Sequence, residues 1–290
     1  MYIKDNLYNL KLYSFLLLIG VIFFSCSKKD YEATIPSYIS IPSIALTTDY
    51  ATEGSTSANI TDAWVYVNDD LVGIYELPAS FPILKEGNVS VKVYAGIKDN
   101  GISASRARYL MYDPHVEKID LIVGDTAEII ANVQYSEDVK FAWLEDFEGA
   151  STSFLYHANS DTIFNKQSST LKEGLFSGQV FLEDEMDFFE ATSLPYNSIP
   201  IGGSLYLEMD FKINENIVVG VYLDGEQFAH ITLNANTEWK KTYLNLKEII
   251  KAKTNSSEVK IFIGLKEEGT TVFSTSQPEI YLDNIKLVHF

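Results

Sequence analysis

Four histidines, at 115, 157, 230 and 289, lie far apart in the sequence and belong to no known motif. The chain has no Gly-x-Ser-x-Gly, no His-Glu-x-x-His and no phosphate loop, so the usual spacings for nucleophilic or zinc-assisted hydrolysis are missing. His230 and His289 fall within or at the end of expected strands, and each of the four histidines reads as a surface or satisfied structural residue. The densest run of carboxylates is LEDEMDFFE, which places Glu183, Asp184, Glu185, Asp187 and Glu190 within eight residues. Glycoside hydrolysis needs two carboxyl groups held ~5–10 Å apart across a substrate, normally on different elements. A solvated loop is therefore the first reading of this run, and cation binding or a partner contact the second.

The remaining reactive side chain is Cys26, the single cysteine of 290 residues. It can form no intramolecular disulfide and share no metal with a second thiol. It follows two lysines, Lys4 and Lys11, and about 13 largely apolar residues, LYSFLLLIGVIFF. That run is shorter than the ~20 residues a membrane-spanning helix needs and has the layout of a secretory signal. The stretch VIFFSCSKKDYE resembles the lipobox of bacterial lipoproteins, with bulky Phe23 and Phe24 where smaller or aliphatic residues are usual. The resemblance implies cleavage before Cys26, acylation of its thiol, and a membrane anchor of two or three chains. Such an anchor is stable where one chain is only marginal.

Cleavage removes two Lys and one Asp, leaving 20 basic and 39 acidic residues and a net charge of −19. A surface this acidic repels phosphate backbones, and nucleic acid is excluded as a partner class. The charge is spread over both halves of the chain, as expected of a soluble body at a crowded membrane surface. About 265 mature residues, in a chain that is 46% hydrophobic, supply two domain cores.

Residues 26–37 are polar enough to be a short tether, and Tyr38 to Leu46 alternates as a first strand. Two apolar runs around Asn68-Asp69-Asp70 predict a hairpin, followed by strands at VSVKVYAGI, VEKIDLIV and AEIIANVQY. WVYVNDDLVGIYELPASFPILKEGNVSVKVYAG resembles the PEGA-type β domain, an extracytoplasmic interaction or spacer module. Residues 38–140 are thus expected to form a small β-sandwich. From Phe141 the chain is again strand-like, with one helical turn at Leu246 to Ala252. The opening FAWLEDFEG, a central EWKKTYLNL and the closing YLDNIKLVHF resemble the galactose-binding-like jelly roll of carbohydrate-binding modules. The predicted fold class is all-β: the small N-terminal sandwich, then a C-terminal jelly-roll sandwich over 141–290.

The jelly-roll resemblance implies a structural Ca²⁺ between the opening and closing strands. Asp146, Glu148 and Asp283 occupy those positions and offer the hard oxygens Ca²⁺ prefers. The alternative is that Asp283-Asn284 makes a turn or pairs with a lysine. No cofactor is otherwise required. Sugar-binding jelly rolls stack pyranose rings on exposed aromatics, and Phe154, Tyr156, Phe188, Phe189 and Tyr196 lie in loop-like segments as candidates for glycan or protein binding. Trp64, Trp143 and Trp239 read as core or interface residues, Trp239 as the family's mid-strand core Trp. Asp125-Thr126-Ala127 and Asp161-Thr162-Ile163 resemble the Bacteroidota O-glycosylation acceptor, which implies modification at Thr126 and Thr162. Ser27 to Glu32 partly resembles the charged signal that sends Bacteroidota lipoproteins to the outer face of the outer membrane, with periplasmic retention as the alternative. The sequence thus predicts a non-enzymatic outer-membrane lipoprotein, tethered to lipid through Cys26 and facing the cell exterior. Its expected role is an accessory subunit docking on an outer-membrane protein, and the alternative is capture of polysaccharide.

Overall fold

The computed structural model describes residues 34–183, 185–197, 199, 202–253, 256–266 and 277–290. Cys26, the Lys28 to Glu32 stretch and Asp184 lie outside the described residues. Met1–Ile35 and Pro36–Phe290 form separate units, and every described strand and helix belongs to the second.

Alternating apolar and polar side chains fold into strands almost throughout. The N-terminal half contains β1 (Ser37–Ile41), β2 (Ile44–Thr47), β3 (Asp62–Val67), β4 (Asp70–Glu76), β5 (Ala79–Ile83), β6 (Gly87–Lys98), β7 (Arg106–Arg108), β8 (Tyr112–Asp113), β9 (His115–Leu121), β10 (Thr126–Glu128) and β11 (Ala131–Tyr135). The C-terminal half contains β12 (Lys140–Glu145), β13 (Leu155–Tyr156), β14 (Asn165–Gln167), β15 (Ser177–Phe181), β16 (Phe188–Thr192), β17 (Leu205–Ile213), β18 (Ile217–Leu223), β19 (Glu226–Leu233), β20 (Asn236–Asn245), β21 (Val259–Lys266) and β22 (Glu279–His289). Two single-turn α-helices, α1 (Tyr50–Glu53) and α2 (Lys247–Ile250), and a 3-10 turn at Lys251–Lys253 directly after α2 complete the described elements. The fold is all-β, a small sandwich followed by a jelly-roll sandwich.

The expected first strand is two strands. The break falls at Pro42, which has no N–H to give to a ladder. β1 joins a sheet ordered β10-β1-β5, and β2 joins one ordered β2-β11-β8. The β3–β4 hairpin turns through Asn68 and Asp69, with φ of 52° and 68°. Positive φ at both central residues matches the right-handed twist of the flanking strands, which is why Asn and Asp occupy this turn. Its sheet runs β4-β3-β6-β7, with β9 also paired to β6.

The C-terminal half stacks a six-stranded sheet, β14-β15-β22-β17-β20 with β12 also on β22, against a five-stranded sheet, β13-β16-β21-β18-β19. Between them lies one core that includes Phe189, Val219, Ile261, Leu207 and Leu282. A second core fills the N-terminal half, and it recruits Tyr206, Tyr243 and Val288 from the C-terminal half. One face of the six-stranded sheet therefore packs on its own sandwich, and the other contributes to the neighbouring core. This double coverage explains why seven of the nine residues Leu205 to Ile213 are buried in an unbroken run, and all but the first residue of β22.

Candidate functional site

The outward face of the five-stranded sheet carries a connected set of aromatic and polar side chains. On β16, alternation sends Phe189 and Ala191 into the core and leaves Phe188, Glu190 and Thr192 on the other face. Glu190 pairs with Gly264 on β21, Phe262 with Gly220 on β18, and Tyr222 with both Lys260 on β21 and Gln227 on β19. Two of these lattice points are glycines: the Phe262 ring lies over Gly220, and Gly264 puts no side chain beside Glu190. Tyr222 donates its hydroxyl to Glu190 Oε1 at 2.6 Å, and Gln227 donates its amide to Oε2 at 2.7 Å. Below them, the Phe262 ring meets the Tyr222 ring edge-on at 5.6 Å.

Glu190 itself is buried. Partial burial, reinforced by the hydrogen bond to Glu190, raises the Tyr222 phenol well above its ordinary pKa, so it stays a neutral donor at any physiological pH. The groups that reach solvent are the Tyr222 ring, the Gln227 side chain and, at the β16 edge, Phe188 with His157 packed edge-on at 5.3 Å. Lys260 lies beside Tyr222 and pairs with Glu258 at 3.2 Å. The surface offers one half-exposed ring flanked by hydrogen-bonding groups of fixed orientation and a second ring nearby. It can bind a flat, hydroxylated or amide-bearing ligand, but it contains no nucleophile–base pair.

Of the five aromatics read from the sequence as binding candidates in loop-like segments, only Phe188 lies on this face. Phe154 and Phe189 are core residues, a correction that follows from the strand period and from packing. Phe154 stacks among Trp143, Phe147 and Phe164, with ring centroids 5.1, 6.1 and 4.6 Å away. Tyr156 is half-buried against the same core and accepts the Phe164 amide. Tyr196 bridges to Val259 and also packs on the core. Glu190 belongs to a strand rather than to the expected solvated loop. Of its run, Asp187 has its amide held by Asp161 Oδ2 at 3.0 Å. Trp239 is likewise not a core residue: it is half-buried, 6.5 Å from Tyr281. Trp143 is core, and Trp64 is half-buried on the outer face of β3. Thr126 is exposed on β10 and Thr162 is half-buried.

The calcium expectation finds no support in its three side chains. Asp146 accepts the Tyr50 hydroxyl and the Glu148 amide, and Glu148 Oε1 accepts the amides of Leu175 and Phe176. These oxygens close turns and are already satisfied. Asp283 Oδ1 accepts the amide of Asn284, and its buried Oδ2 has no hydrogen-bond partner. Burial, together with the nearby charges of Asp210 and Glu173, raises the Asp283 carboxyl to about 7. Among the described residues, no three His, Cys, Asp or Glu side chains are grouped to hold an ion.

The densest ionisable cluster among the described residues lies elsewhere, buried where β17, β20 and β22 meet the N-terminal half. Glu208 accepts the hydroxyls of Tyr109 at 2.6 Å and Tyr135 at 2.9 Å. Lys241 stands 3.8 Å from both Glu208 and Asp210, and Asp210 accepts Ser57 and Asn284 at 3.0 Å each. Lys286 donates to Ser55 O at 2.6 Å and to Tyr135 at 3.3 Å, and burial lowers it to about 8. Lys286 and Ser55 also line a cleft of about 230 Å³ with Tyr50 and Asp146. The paired carboxylates of this cluster are fully buried and spoken for by tyrosines, lysine and amides, so they cannot flank a substrate. The four histidines make local contacts: His115 Nδ1 accepts Asn132 N, His157 Nδ1 accepts Asn159 N, His230 meets Asn100, and His289 meets Phe290 O.

No protein-family model matches the chain, and no curated protein matches it. Similar solved structures include a xylan-binding domain, carbohydrate-binding module 22-2, from Paenibacillus barcinonensis. It is 14% identical, covers 51% of this chain and 99% of that one, and has a TM-score of 0.39. The family 11 carbohydrate-binding module of a cellulosomal cellulase of Clostridium thermocellum is 14% identical over 53% and 97% of the two chains, at a TM-score of 0.36. The enzymatically active domain of a tailspike protein of bacteriophage CBA120 is 9% identical over 50% and 20%, at 0.37. This chain is similar to each of them at a level that transfers neither ligand nor activity.

Proposed function

We propose that this protein is a non-catalytic glycan-binding lipoprotein of the outer membrane, anchored through acylated Cys26 and facing the cell exterior. It would bind carbohydrate on the outward face of the five-stranded sheet. The observation that carries the reading is the Glu190 carboxylate fixing Tyr222 and Gln227 beside Gly264, which carries no side chain. A pyranose presents an apolar CH face, which suits the Tyr222 ring, and hydroxyl edges that need donors and acceptors already held in place. Polysaccharide retardation gels test it: neutral polysaccharides should retard the protein, and Tyr222→Ala or Gln227→Ala should abolish the shift. Unchanged mobility of the intact protein across plant, fungal and bacterial polysaccharides would sink the reading.

A second reading, docking on an outer-membrane protein, is favoured by the outer face of β3, β4 and β6. There Tyr66 and Tyr94 meet edge-on at 5.5 Å, the Arg108 guanidinium lies 4.6 Å from the Tyr94 ring centroid, and Trp64 pairs with exposed Ile74. Aromatics and arginine beside exposed aliphatics are what protein interfaces enrich. A stoichiometric membrane partner recovered by pull-down from detergent-solubilised membranes, and lost in Tyr94→Ala, would establish this role.

A further inference from the structure

Four segments of the N-terminal sandwich converge at one end of the body. Ser37, the first residue of β1, pairs with Ile83, the last of β5, and Gly87, the first of β6, pairs with Leu121, the last of β9. The β5–β6 connection holds Leu84 and the β9–β10 connection holds Ile122 and Val123. The second connection is tied to the chain's entry point: Gly124 N donates to Pro36 O at 3.0 Å, and Tyr38 N donates to Asp125 O at 2.8 Å. Leu84 is 71% exposed, Ile122 61%, Val123 44% and Tyr38 37%. Tyr38 also lies beside exposed Pro82 on β5. Large aliphatic side chains at loop tips contribute nothing to a core and are costly to hydrate, so a cluster of them calls for an apolar neighbour.

The position of the cluster says which neighbour. Only nine residues lie between Cys26 and Pro36, so the chain from one to the other can span at most ~35 Å when fully extended. The entry point to the body is thus confined to within that distance of any bilayer that holds Cys26. We propose that this end, with Leu84, Ile122 and Val123 at its tips, rests on the lipid surface and sets the orientation of the body, a proposal that rests on the reading of Cys26 as the anchor. The charges around the tips, Glu86, Asp120 and Asp125 against Lys85, give no attraction to anionic headgroups. Lys85 is moreover engaged with Asp70 at 3.2 Å. The surface that fits is the interfacial zone of zwitterionic lipid, entered by apolar tips whose local concentration the tether supplies.

The test uses the full-length acylated chain in phosphatidylcholine vesicles. Because the lipid caps the Cys26 sulfur as a thioether and leaves no free thiol, a single new cysteine can be labelled with an environment-sensitive dye. Ile122→Cys and, independently, Val123→Cys report on the cluster; Leu175→Cys, exposed in the C-terminal half, is the control. Quenching by nitroxide-bearing lipid should be several-fold stronger at 122 and 123 than at 175, with a blue shift at the first two only. Protein that floats with the vesicles yet is quenched equally at all three positions overturns the contact while leaving the anchor intact. Protein that fails to float overturns the anchor, and the inference with it.

Discussion

Asp283 shows how one side chain can make stability depend on pH. Its carboxyl is buried, one oxygen lacks a partner, and burial raises it from 3.8 to about 7. A raised acid favours the folded state while protonated, so this contribution is complete below pH ~4 and is lost as pH rises towards 7. Asp283→Asn keeps the shape and removes the titration. Thermal unfolding should therefore show the variant gaining over the parent protein at pH 8 and little or no gain at pH 4. Equal differences at both pH values would contradict the buried-acid account. Tyr222→Phe isolates a different contact, the hydroxyl given to buried Glu190. Its loss should lower stability by about 1.5–3 kcal/mol, the range for a hydrogen bond to a charged group, and weaken glycan retardation more than chemical denaturation alone would suggest. Little of this was legible beforehand. Glu190 was visible only as one acid in a run of acids, and its partners Tyr222 and Gln227 lie 32 and 37 residues away. The alternation Phe188-Phe189-Glu190-Ala191 carried the useful signal, since it separates one core-facing aromatic from one outward-facing aromatic.

Strands place these side chains, and Gly220 on β18 makes room for the Phe262 ring beneath Tyr222. A Cβ on Gly220 would collide with the Phe228 carbonyl oxygen and stand 2.5 Å from the Phe262 ring. The β18–β19 ladder shifts register at this point, and a backbone atom cannot yield as a flexible side chain does. Gly220→Ala should therefore cost at least the ~1–3 kcal/mol of ordinary overpacking and displace Phe262 from beneath Tyr222. Near-ultraviolet circular dichroism and urea unfolding would register both effects, and native spectra with an unchanged midpoint would show that the sheet tolerates a side chain there. The element-level pattern was the most readable part of the sequence. The hairpin at Asn68-Asp69, the β segments on either side and the helical turn near Lys247 were all marked by turn residues and period. What escaped was the division at Pro42, because the alternation from Tyr38 to Leu46 continues across the break while the hydrogen-bonding partners change.

At the scale of the whole molecule, the two halves share a polar cluster and part of a core. In YLEMDFKI, Glu208 and Asp210 face away from the C-terminal core, as their alternation requires. The sequence does not say that the other face of the sheet is also covered, because that depends on how the N-terminal half packs against it. The consequence is mutual dependence. The N-terminal core includes Tyr206, Tyr243 and Val288, and buried Glu208 draws Tyr109, Tyr135 and Lys241 from three separate stretches of chain. Removing Lys241 takes from two buried carboxylates the cation that stands 3.8 Å from each, a change that typically costs about 3–5 kcal/mol. Lys241→Met should thus lower the stability of both halves together, with tryptophan fluorescence from Trp64 and from Trp143 following one cooperative transition in the parent and in the variant. Single-Trp variants separate the two signals. If the Trp64 and Trp143 transitions have distinct midpoints, or if only the Trp143 transition shifts in Lys241→Met, the halves are energetically independent and the shared cluster is only a contact. A chain ending at Val139 makes the same point from the other side. It lacks three aromatic and aliphatic core residues and the carboxylate that accepts Tyr109 and Tyr135, so its circular dichroism should lack the cooperative unfolding of the intact protein.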